Sequence, residues 1–266
     1  MRKVLALMRA NWLTALSYRV NMFFTFTGVV VGVVPLYFIG HALQPMMAPN
    51  IRSESPEYFA FLVVGIVTYQ FVSTSINALH GSLSGEISSG SFEALVSTPT
   101  PLASLLLGMV SQAFSMTALR SLVLSIAAVA FGAHIVWSGV LPSLLILLLI
   151  VLSYLPFGIF AASLVLAFRA TGPFPGAIAT ASALLGGVYY PTQVIPSWIL
   201  GLSKFIPLSY GLRSLRRSLL DGAPLSASAA DLTVLTVATV VLMAVSLAGF
   251  LKALSYAKHS GTLTQY

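Results

Sequence analysis

Long stretches without a charged residue are the feature that most limits what this chain can fold into. No charge occurs from Val20 to Ile51 or from Tyr58 to Gly85. A helix needs about 20 consecutive apolar residues to cross a bilayer, and both stretches exceed that length. Four further segments share this character, one of them interrupted by Arg120. The predicted spans cover residues 20–40, 58–79, about 102–131, 141–168, about 174–190 and about 232–251.

The composition is also typical of a membrane-embedded chain. Charged residues make up 7% of the sequence and hydrophobic residues 58%, whereas soluble domains carry about 25% charged residues. We therefore expect an integral, all-α membrane protein with a single domain over residues 1–266. The formal net charge of +7 fits basic residues near anionic headgroups better than nucleic-acid binding. No cysteine is present, which excludes disulfides and thiolate chemistry.

The distribution of basic residues predicts the orientation. An even number of spans puts both termini on one side, and the positive-inside rule assigns the more basic side to the cytoplasm. The favoured side carries seven basic residues and the other side five. The seven are Arg2, Lys3, Arg9, Arg19, Arg169, Lys252 and Lys258, and the five are Arg52, Lys204, Arg213, Arg216 and Arg217. We expect cytoplasmic N- and C-termini.

Residues 1–18 have an amphipathic helical pattern. Val4, Met8, Trp12 and Leu16 repeat every four residues, while basic residues occupy other angles. Such a helix is suited to lie in the membrane interface and to contact lipid. The alternative is that this segment simply extends the first span.

The sequence lacks the motifs of several enzyme classes. It contains no phosphate-binding loop of the form G-x-x-x-x-G-K-[ST] and no H-E-x-x-H, and its four histidines are far apart. We therefore predict that the chain is not itself an enzyme and binds neither metal nor cofactor. Arg120 is the one clear charge within a span. It either bridges helices or snorkels, or it contacts an anionic substrate or a lipid headgroup.

The break between the second and third spans is unusual because it is acidic. Residues 85–101 read GEISSGSFEALVSTPTP and hold two of the six acidic residues, Glu86 and Glu93. Helix-favouring residues follow Phe92, and Pro99 ends the run. An ordinary polar loop is one interpretation. A short surface helix that presents Phe92 and Glu93 to a basic cleft on a partner is the other.

This break resembles the first cytoplasmic loop of the ABC-2 type transport permeases. The matching residues are Glu86, Gly90, Ser91, Phe92, Glu93, Ala94, Leu95, Val96, Thr98 and Pro99. A second segment, residues 189–222, is similar to a Pro-rich region that follows the fifth span in that family. Its matching residues are Pro191, Pro196, Trp198, Pro207, Tyr210, Arg216 and Gly222. The resemblance extends over nearly the whole chain.

The resemblance implies a half-transporter that pairs as a homo- or heterodimer and binds a separate ATP-binding cassette ATPase subunit. Residues 81–100 would form the coupling helix to that subunit. Its implied contact residues are Glu86, Gly90, Phe92, Glu93 and Pro99. ATP and Mg would be bound by the ATPase subunit. The implied location is a bacterial inner (plasma) membrane, crossed several times.

The resemblance also implies an exit gate. Residues 192–222 would form re-entrant half-helices at the outer face, with Arg213, Arg216 and Arg217 at headgroup level. The implied gate residues are Pro191, Pro196, Trp198, Pro207 and Tyr210. Spans one, two and five would line the pathway between two permeases.

Several functions remain open at this point. A hydrophobic drug or lipid-like molecule is the favoured export substrate, and a lipid-linked glycan is the alternative, since outer basic residues could contact its pyrophosphate. An ion-coupled carrier or channel without an ATPase is the competitor from another class. The charge-poor spans count against it. A scaffold without flux would leave the Pro-rich segment unexplained, and an intramembrane enzyme lacks a catalytic constellation.

Overall fold

The computed structural model describes residues 19–88, 90, 102–168 and 171–259, and their regular secondary structure is helical. Short 3₁₀ turns cover Trp137–Gly139, Thr192–Val194 and Leu225–Ser228. The α-helices are α1 (Arg19–Ile51), α2 (Tyr58–Ser88), α3 (Leu102–Ala130), α4 (Val140–Phe168), α5 (Phe174–Leu185), α6 (Ser197–Ser203), α7 (Pro207–Asp221) and α8 (Ala229–His259).

Five of the described helices are long and apolar enough to cross a membrane, and they are α1, α2, α3, α4 and α8. Large apolar side chains stay exposed along them, such as Phe23 and Phe24 on α1 and Val241 on α8. Exposed side chains of this kind contact hydrocarbon when a helix spans a bilayer. The expectation of an all-α, multi-pass membrane protein is confirmed.

The predicted fifth span, about 174–190, is not a single helix. Helix α5 has 12 residues and ends at Leu185, which gives a length of about 18 Å against a hydrocarbon core of about 30 Å. Two glycines end it. Gly186 lies at the C-terminal cap, and Gly187 has a φ of 83°, a left-handed conformation that non-glycine residues rarely adopt. A sixth full span is therefore not confirmed.

Helix α2 is longer than predicted and overlaps the expected coupling segment. It continues to Ser88, so the first eight residues of the segment 81–100 belong to the second span's own helix. The predicted second span ended at residue 79, whereas the helix continues through the serines and glycines of residues 81–85. Helix α1 likewise continues past residue 40 to Ile51, with Pro35, Pro45 and Pro49 inside it.

Helix α2 lies at the centre of the bundle and packs against α1, α3 and α4. Its approach to α4 is very close, because a Cβ atom on Gly158 would lie 2.3 Å from the carbonyl oxygen of Ser75. Helix α4 also packs on α7 and α8. The Tyr154 hydroxyl on α4 donates to Ser182 Oγ on α5 at 2.8 Å, which fixes the short helix α5 to the bundle.

Candidate functional site

One end of the bundle gathers polar contacts from four distant parts of the chain. We call it the Glu54 end. It comprises residues 52–57 between α1 and α2, residues 131–139 between α3 and α4, α7, and the start of α8. A backbone hydrogen bond from Val136 to the Leu219 carbonyl, at 2.9 Å, joins the second of these parts to α7. This end therefore brings together elements that the sequence separates widely.

A buried ion pair lies at the centre of the Glu54 end. Arg216 Nη1 of α7 donates to Glu54 Oε2 at 3.2 Å. The two side chains are 1% and 6% exposed, respectively. A pair so completely removed from water is strongly coupled, because neither charge can be solvated if the other is lost.

The same guanidinium binds backbone carbonyls on two other elements. Nη1 also donates to the Gly187 carbonyl at 2.9 Å, and Nη2 donates to the carbonyls of Phe61 and Val188, each at 3.1 Å. Gly187 and Val188 follow the C-terminus of α5, where carbonyls lose their helical partners. One side chain thus connects α7 to α2, to the connection after α5 and, through Glu54, to the α1–α2 connection.

An aromatic ring and a glycine complete the packing around the guanidinium. The guanidinium carbon of Arg216 lies 3.3 Å from the ring centroid of Phe61, a cation–π contact in a site without water contact. Gly65 lies one turn farther along α2. A Cβ atom there would lie 2.2 Å from the Val188 oxygen and 2.8 Å from Arg216 Nη2. The absence of a side chain at Gly65 is therefore a requirement of the site.

Burial shapes the electrostatics of Arg216. Desolvation lowers the pKa of its guanidinium to about 10, and the negative charge of Glu54 opposes that lowering. The guanidinium stays protonated at neutral pH. Its Nε has no hydrogen-bond partner among the described residues. The buried positive charge of Arg216 is therefore stabilised by the ion pair and by three carbonyl acceptors.

The placement of Arg213, Arg216 and Arg217 at outer headgroup level stays a prediction, but the burial of Arg216 within the protein was not expected from the sequence. Arg213 is half-buried and pairs with Asp231 of α8 at 3.4 Å. Arg217 is also half-buried, and its Nε donates to the Ser53 carbonyl at 3.2 Å. All three arginines are engaged by other parts of the chain.

Helical periodicity explains why the three arginines differ, and it was the signal that the sequence analysis missed. Leu208 and Leu212 are buried on one face of α7, and Arg216 follows at the same four-residue interval. Arg213 and Arg217 lie on other angles. A charged residue on the apolar stripe of a helix requires a buried partner, and Glu54 provides it.

The prolines of the expected gate each begin a helical turn. Pro191 and Pro196 precede the turn Thr192–Val194 and α6, and Pro207 is the first residue of α7. Proline suits these positions because its fixed φ matches the start of a helix, where its missing N–H group needs no intrahelical partner. Gly222 ends α7 in the left-handed conformation, with φ 69°, as its place in the resemblance suggests.

Serine side chains hold the short helices together. Ser203 Oγ donates to the Leu185 carbonyl at 2.7 Å, and Ser209 Oγ approaches the same oxygen at 3.2 Å. Among the other expected gate residues, the Tyr210 hydroxyl donates to the Lys204 carbonyl at 3.0 Å. Trp198 is 81% exposed. Residues 174–222 therefore fold into a linked unit, and a gating role for them remains a prediction.

The expected coupling residues are only partly described. Glu86 lies in the last turn of α2. Gly90 follows this helix with a left-handed φ of 71°, a conformation that commonly ends α-helices. Phe92, Glu93 and Pro99 lie outside the described residues, as does the interface segment 1–18. Their roles stay predictions.

Arg120 lies near the middle of α3 with an exposed side chain. It makes no hydrogen bond or ion pair with any residue that the structure describes. The interpretation that it bridges helices therefore gains no support from the described bundle. The interpretation that it meets an anionic group remains open.

The model of the ABC-2 type transporter family matches residues 2–220. A search of individually curated proteins gives no match. Within the described residues, no group of three or more His, Asp or Glu side chains could hold a metal ion.

Proposed function

Because the chain belongs to the ABC-2 type transporter family and is thus a permease component of an ABC-type transporter, we propose that it exports a hydrophobic or lipid-like substrate. In this proposal it acts with a second permease, identical or homologous, and with a separate ATPase subunit that binds ATP and Mg. Both termini are cytoplasmic, and the membrane is a bacterial inner membrane.

The observation that carries this proposal is the buried contact of Arg216 with Glu54 and with the carbonyls after α5. This contact holds the short helices α5, α6 and α7, each too short to span a bilayer, at one end of the bundle. A segment of this kind suits a gate, because releasing this ion pair together with the segment's other contacts, such as Arg213 with Asp231 and Tyr154 with Ser182, would free it from the bundle. In the proposed orientation the Glu54 end faces outward, so the segment closes the exit.

Helix α2 would transmit motion between the ATPase and the gate. Its 31 residues give a length of about 45 Å, at 1.5 Å per residue. Glu86 lies near one end of it, and Phe61 and Gly65, which contact Arg216, lie near the other. When ATP closes the ATPase dimer, a tilt of α2 would move both ends together and loosen the gate.

The engagement of the arginines favours a hydrophobic substrate over a lipid-linked glycan. Arg213, Arg216 and Arg217 were the candidate contacts for a pyrophosphate. Each now has an acceptor on this chain, namely Asp231, Glu54 and the Ser53 carbonyl. A pyrophosphate would have to displace those acceptors, whereas an apolar substrate would not.

An exposed apolar face on α6 fits the second permease. Trp198 and Leu202 of α6 are 81% and 57% exposed, and Phe205, in the turn after α6, is 83% exposed. Aromatic anchors of this kind are typical of protein interfaces. In the dimer we propose that this face packs against the other permease beside the pathway.

Purification from the native host tests the proposal. The chain is tagged and purified in mild detergent, co-purifying subunits are identified, and ATPase activity is assayed with and without hydrophobic dyes. We expect a stoichiometric ATP-binding subunit and ATPase activity that responds to a hydrophobic compound. Stimulation by a lipid-linked glycan alone would overturn the substrate class, and a chain that purifies without an ATPase would overturn the partner.

A further inference from the structure

A cavity lies beside the buried ion pair, on the lipid-facing flank of the bundle. Its volume is about 500 Å³, and residues of α2, α3, α4 and α7 line it. Ligand pockets usually measure about 300–1,000 Å³. The walls are almost wholly apolar and include Val63, Val67, Leu147 and Leu215.

The mouth of this cavity lies among side chains that face lipid. Leu122 and Ile126 of α3 and Leu144 of α4 line the cavity and are 56%, 61% and 56% exposed. These residues belong to two of the spanning helices, so their exposed surfaces contact hydrocarbon in the membrane. The cavity therefore opens toward the acyl-chain region of the bilayer.

The inner wall is lined by small residues that create the space. Ala60, Ala128 and Ala133 line the cavity and are 3%, 1% and 6% exposed. Ser143 also lines it, and its buried Oγ has no hydrogen-bond partner among the described residues. A water molecule needs two to four polar partners to be stable in a cavity, so an apolar ligand is favoured here.

We propose that one acyl chain of a membrane lipid occupies this cavity. Protein interiors are close-packed, and an empty space of this size beside hydrocarbon costs dispersion contacts that an acyl chain restores. The chain would contact Leu215 of α7 and Val64 of α2, which both line the cavity and directly precede Arg216 and Gly65. A bound lipid would therefore stabilise the docked position of α7. This inference requires only that the chain spans a membrane, and it does not depend on the exporter proposal.

Photolabelling in vesicles tests the inference. The full chain is reconstituted in phosphatidylcholine vesicles that contain a lipid with a diazirine on one acyl chain, irradiated, digested and mapped by mass spectrometry. We expect adducts at the inner residues Val63, Val67 and Leu147, in addition to adducts at lipid-facing positions such as Val237 and Val241 of α8.

A pair of variants on one helix provides the control. Ala128→Leu fills the cavity and should reduce labelling at Val67 and Leu147 at least fivefold. Ala130→Leu adds the same volume at an exposed site on α3 outside the cavity and should leave labelling unchanged. Labelling of α8 reports in every sample that the protein is folded and inserted.

Three results would overturn the inference. One is labelling of α8 without labelling of the inner residues in the unmodified chain. Another is unchanged inner labelling in Ala128→Leu. The third is inner residues that crosslink to a second copy of the chain in place of lipid. If Ala128→Leu does not insert, Val67→Phe, which fills the cavity from α2, replaces it.

Discussion

Arg216 of α7 and Glu54 of the α1–α2 connection lie 162 positions apart in the sequence and form an ion pair of 3.2 Å that is almost fully enclosed by protein. The pair makes the docking of α7 conditional on the conformation of the connection between the first two spans. A movement of α1 or α2 that displaces Glu54 leaves a guanidinium buried without a counter-charge. Such a state is costly, so the ion pair favours the docked position of α7.

Neutralising Glu54 should therefore destabilise the protein strongly. We expect Glu54→Gln to lower the free energy of unfolding by about 3–5 kcal/mol, because it leaves the Arg216 charge uncompensated in a buried site. The measurement is the unfolding midpoint in mixed detergent micelles titrated with SDS.

Arg213→Gln is the matched control for this change. It breaks an ion pair on the same helix, but that pair is partly exposed, and we expect a loss of only about 0–1 kcal/mol. Equal losses for the two variants would contradict a special role for the buried pair. In the double variant Glu54→Leu/Arg216→Met, stability should recover in part, and it should stay below that of the unmodified chain because three carbonyls lose a donor.

The space at Gly65 gives a second prediction. Gly65→Ala should cost about 1–3 kcal/mol by overpacking, because the added methyl group would overlap the Val188 carbonyl at 2.2 Å. In a working transporter this variant should also raise basal leak of a hydrophobic dye from loaded vesicles, since α7 can no longer dock closely.

Gly81 on the same helix controls for helix propensity. A Cβ atom there meets nothing within 4 Å, so Gly81→Ala should be neutral or stabilise the helix by up to about 1 kcal/mol. If Gly65→Ala behaved like Gly81→Ala, the close approach between α2 and the residues after α5 would not exist in the membrane.

Five of the six predicted spans lie on long apolar helices, because a charge-free run of sufficient length has few alternatives to a membrane helix. Tyr58 was placed correctly as the start of α2, and Gly222 as the end of α7. Helix ends were harder to predict. Leu185 ends α5 because of the left-handed Gly187, and glycine is also common inside membrane helices, so its effect on α5 was not evident from sequence.

The ion pair was not predicted, for a physical reason. Glu54 lies in a short connection that is polar by composition, and nothing local distinguishes it from a solvated acid. Only the packing of α7 against α2 brings it to Arg216. Arg216 itself carried a signal, because it follows Leu208 and Leu212 at helical spacing, but the family resemblance grouped it with Arg213 and Arg217 at headgroup level.

A third prediction concerns the opposite end of α2. We expect charge reversal at Glu86 and Glu93 together to abolish recovery of an ATPase subunit with the purified chain, because an acidic contact cannot bind a basic cleft once reversed. Glu57→Arg, just before the other end of α2, should leave recovery unchanged. Retention of the ATPase by the Glu86→Arg/Glu93→Arg variant would show that this segment is not the docking site.

The last prediction concerns Arg120, an exposed charge near the middle of a spanning helix. A guanidinium at that depth is costly unless an anion or water accompanies it, and no described residue of this chain pairs with it. We expect Arg120→Gln to slow export of an anionic amphipathic dye at least tenfold and export of a neutral dye of similar size less than twofold. Arg120→Lys keeps the charge and should preserve most of the anionic transport. If both dyes slow equally in Arg120→Gln, the residue serves folding or assembly, and the unfolding midpoint of the purified variant should then fall as well.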